Sequence, residues 1–490
     1  MYANKLCLVL GLGETGLAMA QWLTRCGARV RVADSRELPP GTEELRHRLA
    51  GVELVCGPFQ ESLLDGVQLL ALSPGLDPRD PLIERARETG IRITGEIELF
   101  AEALQMLGWR DGDDMGKGGG ARVIAITGTN GKTTTTALVG EMCRAAGCET
   151  AVAGNISPAA LAELMQRLDH EGKTGGEKTA GGKPDIWVLE LSSFQLETTH
   201  TLDADAATVL NVTDDHLDRH GDMDVYANVK AAIFAGAGVQ VLNRDDPRVS
   251  AMAMAIADRK LVSFGLGEPA NQQQYGLRKI DGKTGDKIGG EIWLCRGDTA
   301  LLRQSEMRLA GLHNAANALA ALALCEAIGL PREALIEGLK KFRGLAHRVE
   351  LVAHRGAGVD FYDDSKGTNV GATLAALQGL GRKVVLIAGG DGKGQDFRPL
   401  ADAFRAHARG VVLIGRDAQR IEAETANSGV PMWHAADMES AVTKANAVAQ
   451  DGDAVLLSPA CASLDMYRNY AHRAQVFCDA VNSLPGVRAA

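Results

Sequence analysis

The chain has 490 residues, enough for about three domains of roughly 150 residues each. Its hydrophobic content of 46% and charged content of 23% are those of a globular protein with several buried cores. The net charge of −10 argues against nucleic-acid binding, which needs a basic surface, and no apolar run reaches the ~18 residues of a membrane span. The nine cysteines include no C-x-x-C spacing, so we expect reduced thiols in the cytoplasm and no zinc site.

The first unit, residues 1–110, alternates short apolar runs at 5–10, 29–33 and 68–72 with helical patterns. A glycine-rich turn, Gly11-Leu12-Gly13-Glu14-Thr15-Gly16, follows the first run, and Asp34 follows the second. This pattern is typical of dinucleotide binding, although a tight turn that merely requires glycine is the alternative. The loop Ser73-Pro74-Gly75 follows the third run, and loops after parallel strands gather at one edge of the sheet. We therefore expect a phosphate-bearing ligand at this edge, without knowing which nucleotide it contains.

The central unit, residues 111–344, contains the segment GTNGKTT at residues 128–134. An apolar run at 123–126 precedes it and a helical pattern at 135–146 follows it. In this arrangement backbone N–H groups hold phosphates, Lys132 supplies a point charge, and the Thr133 hydroxyl binds Mg²⁺. Ile126 stands where the full G-x-x-x-x-G-K-[ST] pattern has glycine, so an ordinary glycine-rich helix start is the alternative. The strand, the Lys-Thr pair and the helix together favour ATP binding.

Further polar side chains follow apolar runs of the central unit. Glu190 ends the run at 186–190 and is a candidate Mg²⁺ ligand, because a carboxylate beside a buried strand is costly without a partner. An edge carboxylate in solvent is the other interpretation. His216 lies among three aspartates after the next run and could bind a metal or a phosphate. Lys230 lies in a predicted helix at 225–234, where composition alone favours a surface lysine.

The third unit, residues 345–490, begins near the adjacent pair His347-Arg348 and has apolar runs at 384–388, 411–414 and 454–457. Polar loops follow its strands at 363–369, 389–393 and 458–463. Their Asp, Lys, Thr and Ser side chains suit a small anionic ligand, although each loop taken singly could be a solvated turn.

Three polar, glycine-rich segments interrupt the pattern at 111–120, 168–183 and 267–290. Because they lack apolar periodicity, we interpret the first as a linker and the others as surface loops. Elsewhere strands alternate with helices, which predicts parallel sheets covered by helices on both faces. The predicted fold class is α/β, with three consecutive domains.

Eight motifs resemble those of the Mur ligases, most closely the branch that adds D-glutamate. In the family's order they are GTNGKTT, LELSSFQLETT, NVTDDHLDRH, GLHNAANALAALAL, LAHRVE, DDSKGTN, GGDGKG and LLSPACASLD. The resemblance covers the chain from the first strand to the last helix, except the three interrupting segments. It implies a Rossmann-like UDP-substrate-binding domain at 1–110, a P-loop ATP-binding domain at 111–344 and a Rossmann-like amino-acid-binding domain at 345–490.

The resemblance also implies a reaction in peptidoglycan precursor synthesis. ATP would phosphorylate the terminal carboxylate of UDP-N-acetylmuramoyl-L-alanine, and the amine of D-glutamate would attack the acyl phosphate to form an amide. Activation is required because a carboxylate is a poor electrophile, and bringing two anions together calls for Mg²⁺, Lys132 and other cations.

Roles follow from the resemblance residue by residue. Lys132, Glu190, His216 and Lys230 would act in catalysis. Thr133 and Glu190 would hold one Mg²⁺, and His216 and a carbamylated Lys230 would hold a second. The ATP-binding residues would be Gly128, Thr129, Asn130, Gly131, Lys132, Thr133, Thr134, Asn317, Arg348 and Asp364. The UDP-substrate-binding residues would be Gly13, Glu14, Thr15, Asp34, Ser35, Ser73, Pro74, Gly75, Asn155 and Ser192. The D-glutamate pocket would contain Lys366, Thr368, Lys393, Ser463, Leu464 and Tyr470. Ser35 and Tyr470 stand where the family pattern has threonine and phenylalanine.

Three other functions stay open at this point. A sibling Mur ligase or a folylpolyglutamate-type ligase would add another amino acid, but the chain lacks the D-N-P-R stretch of siblings that take a diamino acid. An NAD-dependent oxidoreductase built on the 11–16 turn would leave the ATP loop unexplained. A non-catalytic ATP-dependent switch would need no amide synthesis. We expect a cytoplasmic monomer that acts on small molecules and binds neither nucleic acid nor a membrane.

Overall fold

The structure is a computed structural model that describes residues 1–112, 119–170, 182–253, 259–284, 287–309, 311–345, 347–356 and 358–490. These residues form three sheets in chain order, and helices flank each sheet. The predicted fold class, three consecutive α/β units, is confirmed. The boundaries after residues 110 and 344 stay a prediction. Within the described ranges we find no helix with the length and apolarity that a bilayer span requires.

The first sheet is wholly parallel, as predicted. The elements of this unit are β1 (Leu6–Leu10), α1 (Glu14–Arg25), β2 (Arg29–Asp34), α2 (Thr42–Arg48), β3 (Glu53–Cys56), β4 (Leu69–Leu72), α3 (Pro81–Glu88), β5 (Arg92–Thr94) and α4 (Glu96–Met106). The strand order is β3-β2-β1-β4-β5. Alternate residues of β1 enter different cores: Cys7 and Val9 pack on one face, Leu8 and Leu10 on the other. A continuous apolar run is what a parallel strand covered on both faces requires.

The second sheet carries the phosphate loop. The elements of this unit are β6 (Arg122–Thr127), α5 (Lys132–Ala145), β7 (Thr150–Gly154), α6 (Ala160–His170), β8 (Ile186–Glu190), α7 (Ser193–Leu196), β9 (Ala206–Val209), α8 (Leu217–His220), α9 (Met223–Ala231), β10 (Val239–Asn243), α10 (Pro247–Ala251), β11 (Leu261–Phe264), β12 (Gln274–Thr284), β13 (Lys287–Arg296), β14 (Thr299–Arg303), α11 (Leu312–Ala327) and α12 (Arg332–Lys341). The strand order is β14-β13-β12-β11-β10-β9-β6-β8-β7.

Two predictions for this unit were wrong. The segment 267–290 is not a surface loop, because all of β12 and the start of β13 lie in it and pair with each other. The sheet is not wholly parallel either, since β12–β13 and β13–β14 are antiparallel. The segment forms a strand because alternate residues, Tyr275 and Leu277, are buried in the same core as residues of α11. Of the other interruptions, 168–170 is the end of α6, whereas 113–118 and 171–181 lie outside the described residues.

The third sheet is mixed, which also corrects the prediction of a wholly parallel sheet. The elements of this unit are β15 (Glu350–Arg355), β16 (Val359–Asp363), α13 (Val370–Gly379), β17 (Val384–Gly389), α14 (Leu400–His407), β18 (Ala408–Ile414), α15 (Ala418–Thr425), β19 (Met432–His434), α16 (Met438–Val448), β20 (Ala454–Leu457), α17 (Tyr470–Asn482) and β21 (Val487–Ala489). The strand order is β19-β18-β17-β20-β16-β15-β21, and β15 is antiparallel to both of its neighbours.

The units are joined in different ways. The first and central units share one hydrophobic core, in which Phe100 of α4 packs edge-on against Trp187 of β8 at 4.8 Å between ring centroids. Glu96 of α4 accepts a hydrogen bond from the Leu161 N–H at 2.6 Å, at the start of α6. The described contacts between the central and C-terminal units include polar bonds around the phosphate loop. That boundary is therefore where the site is assembled.

Candidate active site

The phosphate loop, residues 128–134, connects β6 to α5 and is held in shape by its own lysine and by asparagines from neighbouring segments. Gly131 has φ 83°, and a Cβ there would lie 2.6 Å from Asn317 Oδ1, so glycine is required. Lys132 Nζ donates to the carbonyl oxygens of Gly128 and Thr129, both at 2.8 Å. The Asn130 N–H donates to Asn211 Oδ1 at 2.8 Å. A helix N-terminus with a cationic side chain folded over its loop is ready to receive phosphates.

Lys230 is a buried lysine next to this loop. Only 1% of its surface is exposed, which contradicts the surface position that composition favoured. Its Nζ donates to Gly128 O at 3.0 Å and lies 4.5 Å from the centre of the Tyr226 ring. Burial, together with the positive charge of Lys132, lowers the pKa of Lys230 well below its ordinary value. The amine therefore tends toward its neutral form, which is the nucleophilic one.

The carboxylate of Glu190 has one oxygen without a partner. Its Oε1 accepts from Asn155 Nδ2 at 2.8 Å, whereas Oε2 is buried and receives no hydrogen bond in the described part of the chain. A buried anionic oxygen without a donor is costly, and a cation would satisfy it. Thr133 Oγ1 accepts a bond from Arg348 Nη2 at 3.0 Å and keeps a further lone pair. These oxygen groups fit the ligand preference of Mg²⁺.

His216 stands at the start of α8 in a left-handed backbone conformation, with φ 55°. Its ring packs edge-on against Phe194 at 4.8 Å, and Nε2 lies 3.7 Å from Asp215 Oδ2. Burial lowers the pKa of His216, and the nearby lysines act in the same direction against the pull of Asp215. The neutral imidazole that results is the form that binds a metal.

A cavity of about 290 Å³ lies beside the phosphate loop, between the central and C-terminal units. Its walls include Asn130, Phe264, His313, Asn317, Arg348 and Asp364. Burial lowers the pKa of His313 to about 4, so this ring is neutral. Burial raises the pKa of Asp364 to about 7, although the Ser458 hydroxyl and Arg348 oppose that shift. A pocket with apolar walls and a few polar groups, next to a phosphate loop, suits a nucleoside.

The predicted amino-acid-binding residues lie in loops of the third unit. Lys366 and Thr368 follow β16, Lys393 follows β17, and Ser463 and Leu464 follow β20. Lys366 Nζ lies 5.5 Å from the centre of the ring of Tyr470, the first residue of α17, and burial lowers the pKa of Lys366. The Lys366 N–H donates to His347 O at 3.2 Å, and the neighbouring Arg348 bonds Thr133 of the phosphate loop at 3.0 Å, so the Lys366 loop lies near that boundary.

The first sheet presents its predicted ligand residues in loops after β1, β2 and β4. Asp34 accepts the Leu12 N–H at 2.7 Å and pairs with the guanidinium of Arg36. Burial alone would raise the pKa of Asp34, but these bonds hold it at about 2. Ser73 Oγ donates to Gly11 O at 2.9 Å. The remaining predicted residues of this edge are Gly13, Glu14, Thr15, Ser35, Pro74 and Gly75.

One predicted residue, Glu14, links this edge to the central unit, because its Oε1 accepts from the Ser157 hydroxyl at 2.7 Å. Asn155 contacts Glu190 within the central unit. Ser192 caps α7, since its Oγ accepts the Gln195 N–H at 3.2 Å. The structure thus brings the predicted ATP, metal and amino-acid residues to one boundary, whereas the hydrogen bonds of Asp34 and Ser73 described above stay within the first unit.

Sequence reasoning missed Arg473 and Asn369. Arg473 is fully buried and donates to Cys461 O at 3.1 Å and to Ser365 O at 2.8 Å. It thereby ties the loop after β20 to the loop after β16. The sequence contained one signal of a special role for Arg473. It lies on the same helical face as Phe477 and Val481, where an apolar residue is expected. Asn369 is the last residue of the DDSKGTN motif, but the sequence alone indicated no role for it. Its contacts cross the unit boundary.

Three family profiles match consecutive parts of the chain. The Mur ligase MurD-like N-terminal domain matches residues 5–95, the Mur ligase middle domain matches 126–325, and the Mur ligase glutamate ligase domain matches 347–461.

Similar proteins are found over nearly the whole length. A UDP-N-acetylmuramoylalanine–D-glutamate ligase of Aromatoleum aromaticum is 56% identical over 99% of both chains. The enzyme of that name from Ralstonia nicotianae is 53% identical over 99% of this chain and 98% of its own. Among solved structures, UDP-N-acetylmuramate-alanine ligase MurC from Thermotoga maritima matches with a TM-score of 0.57 and 20% identity, over 98% of this chain and 99% of its own. MurF from Acinetobacter baumannii matches with a TM-score of 0.58 and 16% identity, over 98% of this chain and 91% of its own. The solved structures support the fold alone.

Proposed function

Because the chain belongs to the Mur ligase family, we propose that it joins D-glutamate to UDP-N-acetylmuramoyl-L-alanine at the expense of ATP. Relatives more than half identical to it bear the name of that ligase. The observation that carries the proposal is the cluster of Lys132, Glu190 and Lys230 at the phosphate loop, which Arg348 of the C-terminal unit joins through a bond to Thr133. One site thus holds groups for a triphosphate and for a second anionic substrate.

The chemistry has two steps. A carboxylate oxygen of the substrate attacks the γ-phosphorus of ATP, the bond to the bridging oxygen breaks, and ADP leaves. The amine of D-glutamate then attacks the carbonyl carbon of the acyl phosphate, the carbon–oxygen bond to phosphate breaks, and the amine gives up a proton. Lys132 and Arg348 supply the positive charge that two converging anions need. Lys366 would orient the incoming amino acid through a carboxylate.

The metal-binding groups support two Mg²⁺ positions. Thr133 and Glu190 would hold one ion, which fits the unpartnered Glu190 Oε2. His216 and Lys230 would hold the other, if the Lys230 amine adds to CO₂ and releases a proton to form a carbamate. The neutral amine that burial favours is the form that reacts in this way. Bound Mg²⁺ would reduce the repulsion between the triphosphate and the substrate carboxylate.

The three units divide the substrates between them. The first-sheet edge around Asp34 and Ser73 would bind the UDP group, so the glycine turn at 11–16 would serve UDP and not NAD. The central unit would bind ATP, and the C-terminal unit would bind D-glutamate. We place the enzyme in the cytoplasm as a monomer, because its substrates are two water-soluble nucleotides and an amino acid, and one chain supplies every predicted binding group.

The direct test is phosphate release from ATP with UDP-N-acetylmuramoyl-L-alanine and Mg²⁺, comparing D-glutamate, L-glutamate and no amino acid. Release with D-glutamate only is the expected result. Release with another amino acid would keep the ligase mechanism and move the chain to a sibling activity, whereas no release with any acceptor would refute the ligase proposal.

A further inference from the structure

Asn369 is a buried asparagine at the start of α13, on the C-terminal side of the nucleotide cavity. It is 6% exposed, and its Oδ1 accepts the Ala372 N–H at 2.8 Å, as a helix N-cap does. This bond determines the orientation of the amide, because the end that accepts from a backbone N–H must be the oxygen. The Nδ2 end therefore points away from α13 and is free to donate elsewhere.

The Nδ2 group of Asn369 reaches the central unit. It donates to Asn130 Oδ1 at 3.1 Å and lies 3.3 Å from Asp215 Oδ2. Asn130 belongs to the phosphate loop, and Asp215 precedes His216. Asn130 in turn donates from its Nδ2 to Thr213 Oγ1 at 3.3 Å. A single amide of the C-terminal unit thus contacts both loops that surround the proposed ATP phosphates and metal.

The contact needs close approach of α13 to the phosphate loop. A Cβ on Gly371 would lie 3.0 Å from Asn130 Nδ2, so there is little space between the helix and the loop. Gly371 and Ala372, in the first turn of α13, also line the nucleotide cavity. The start of α13 is therefore a wall of the ATP pocket, and Asn369 determines how that wall meets the loop.

We propose that Asn369 is a positioning residue that holds the C-terminal unit closed against the phosphate loop. Closure brings the loops with Lys366 and Lys393 toward ATP, so the kinetic effect of Asn369 rests on the proposed ligase function. Its effect on closure does not, because the two hydrogen bonds exist whatever the acceptor substrate is. Two other good N-cap residues do not meet both demands here: aspartate would cap α13 but place a second carboxylate beside Asp215, and serine has a shorter side chain than asparagine.

The Asn369→Asp substitution separates the capping of α13 from the hydrogen bonds that Asn369 donates across the unit boundary. Asparagine and aspartate are equally good N-caps, so α13 keeps its start, but the donor is lost and two carboxylates face each other. The reciprocal pair Asn369→Asp with Asp215→Asn moves the amide donor to the other side of the boundary. The control is Asp437→Asn, which exchanges the same two groups at the exposed cap of α16, where the side chain accepts the Ser440 N–H.

The experiment uses the full chain. Small-angle scattering, without ligand and with a non-hydrolysable ATP analogue plus Mg²⁺, measures closure, and phosphate release measures kcat and the KM of each substrate. We expect Asn369→Asp to remain extended with the analogue and to lose about tenfold in kcat, with KM for the UDP substrate unchanged. The reciprocal pair should recover part of the closure and part of the lost kcat. The control Asp437→Asn should behave as the parent in both measurements.

Closure of Asn369→Asp like that of the parent would overturn the proposal. A reciprocal pair no better than the single variant would count against direct contact with Asp215. If Asn369→Asp does not fold, Asn369→Ser, which retains a capping hydroxyl, provides the same scattering comparison. A chain that releases no phosphate with any amino acid would defeat the ligase function while leaving the scattering result decisive.

Discussion

Replacing Lys132 with methionine should abolish most of the activity without lowering stability. The Lys132 ammonium donates to two carbonyl oxygens of the phosphate loop and lies among Glu190, Asp215 and Arg348. Burial lowers its pKa, which means that folding disfavours the charged amine relative to the unfolded chain. Below the folded-state pKa, the charged Lys132 therefore costs stability, and Lys132→Met removes that cost. Gly128 O would still accept from Lys230.

The expected loss of activity follows from the charge. Two unit charges about 4 Å apart interact by about 4 kcal/mol at an effective dielectric constant near 20, which corresponds to about 10³-fold in rate. Because Arg348 remains in the site and shares the task, we expect a fall in kcat of about 10²- to 10³-fold.

The assay is phosphate release with saturating substrates, alongside thermal unfolding at pH 7.5. A matched control is Lys340→Met, because Lys340 lies on α12, away from the phosphate loop, and pairs with Glu306 and Glu337 at 3.4 and 3.8 Å. The control should retain full turnover. Turnover of Lys132→Met within threefold of the parent would refute the role of this charge, and a clear fall in unfolding temperature would refute the argument from burial.

Three other substitutions test separate features of the structure. Lys230→Ala should lose at least about 10²-fold in turnover, and acetate or formate should restore part of it, because a carbamate is an anionic oxygen ligand; rescue by amines instead would contradict that role. Burial raises the pKa of Glu96 to about 7, so its ionisation costs stability as the pH rises from about 4.5 through 7. The unfolding temperature should fall by a few degrees more over this range in the parent than in Glu96→Gln, and parallel curves would show that Glu96 ionises normally. Arg473→Met should raise the KM for D-glutamate about tenfold or more and leave the KM for ATP unchanged, with partial recovery in Arg473→Lys; equal increases in both KM values would indicate general loss of structure.

Motifs made of consecutive residues could be interpreted from the sequence. The strand, loop and helix around residues 128–134 were predicted, and the structure places β6 and α5 there. The same holds for β1, β17 and β20, whose apolar runs are continuous. Prediction worked at these positions because a buried parallel strand and a helix start depend on residues next to each other in the chain.

The segment 267–290 shows where composition misleads. Its many glycines and charges suggested a loop, yet β12 and β13 pair along ten residue positions. Tyr275 and Leu277 stabilise the hairpin because both pack into a core that includes α11, about 40 residues later in the chain. Propensity cannot reveal a partner that the chain supplies only after folding.

The sequence alone determined the α/β class, the phosphate loop and the family, because each depends on local patterns and on the order of motifs. Only the tertiary structure decided the state of the side chains that complete the site. Lys230 contacts Gly128 across 102 positions, and Asn369 contacts Asn130 across 239. Burial, and with it the lowered pKa of Lys230 and the orientation of the Asn369 amide, arises from neighbours brought together by packing, and no local pattern of residues encodes which neighbours those will be.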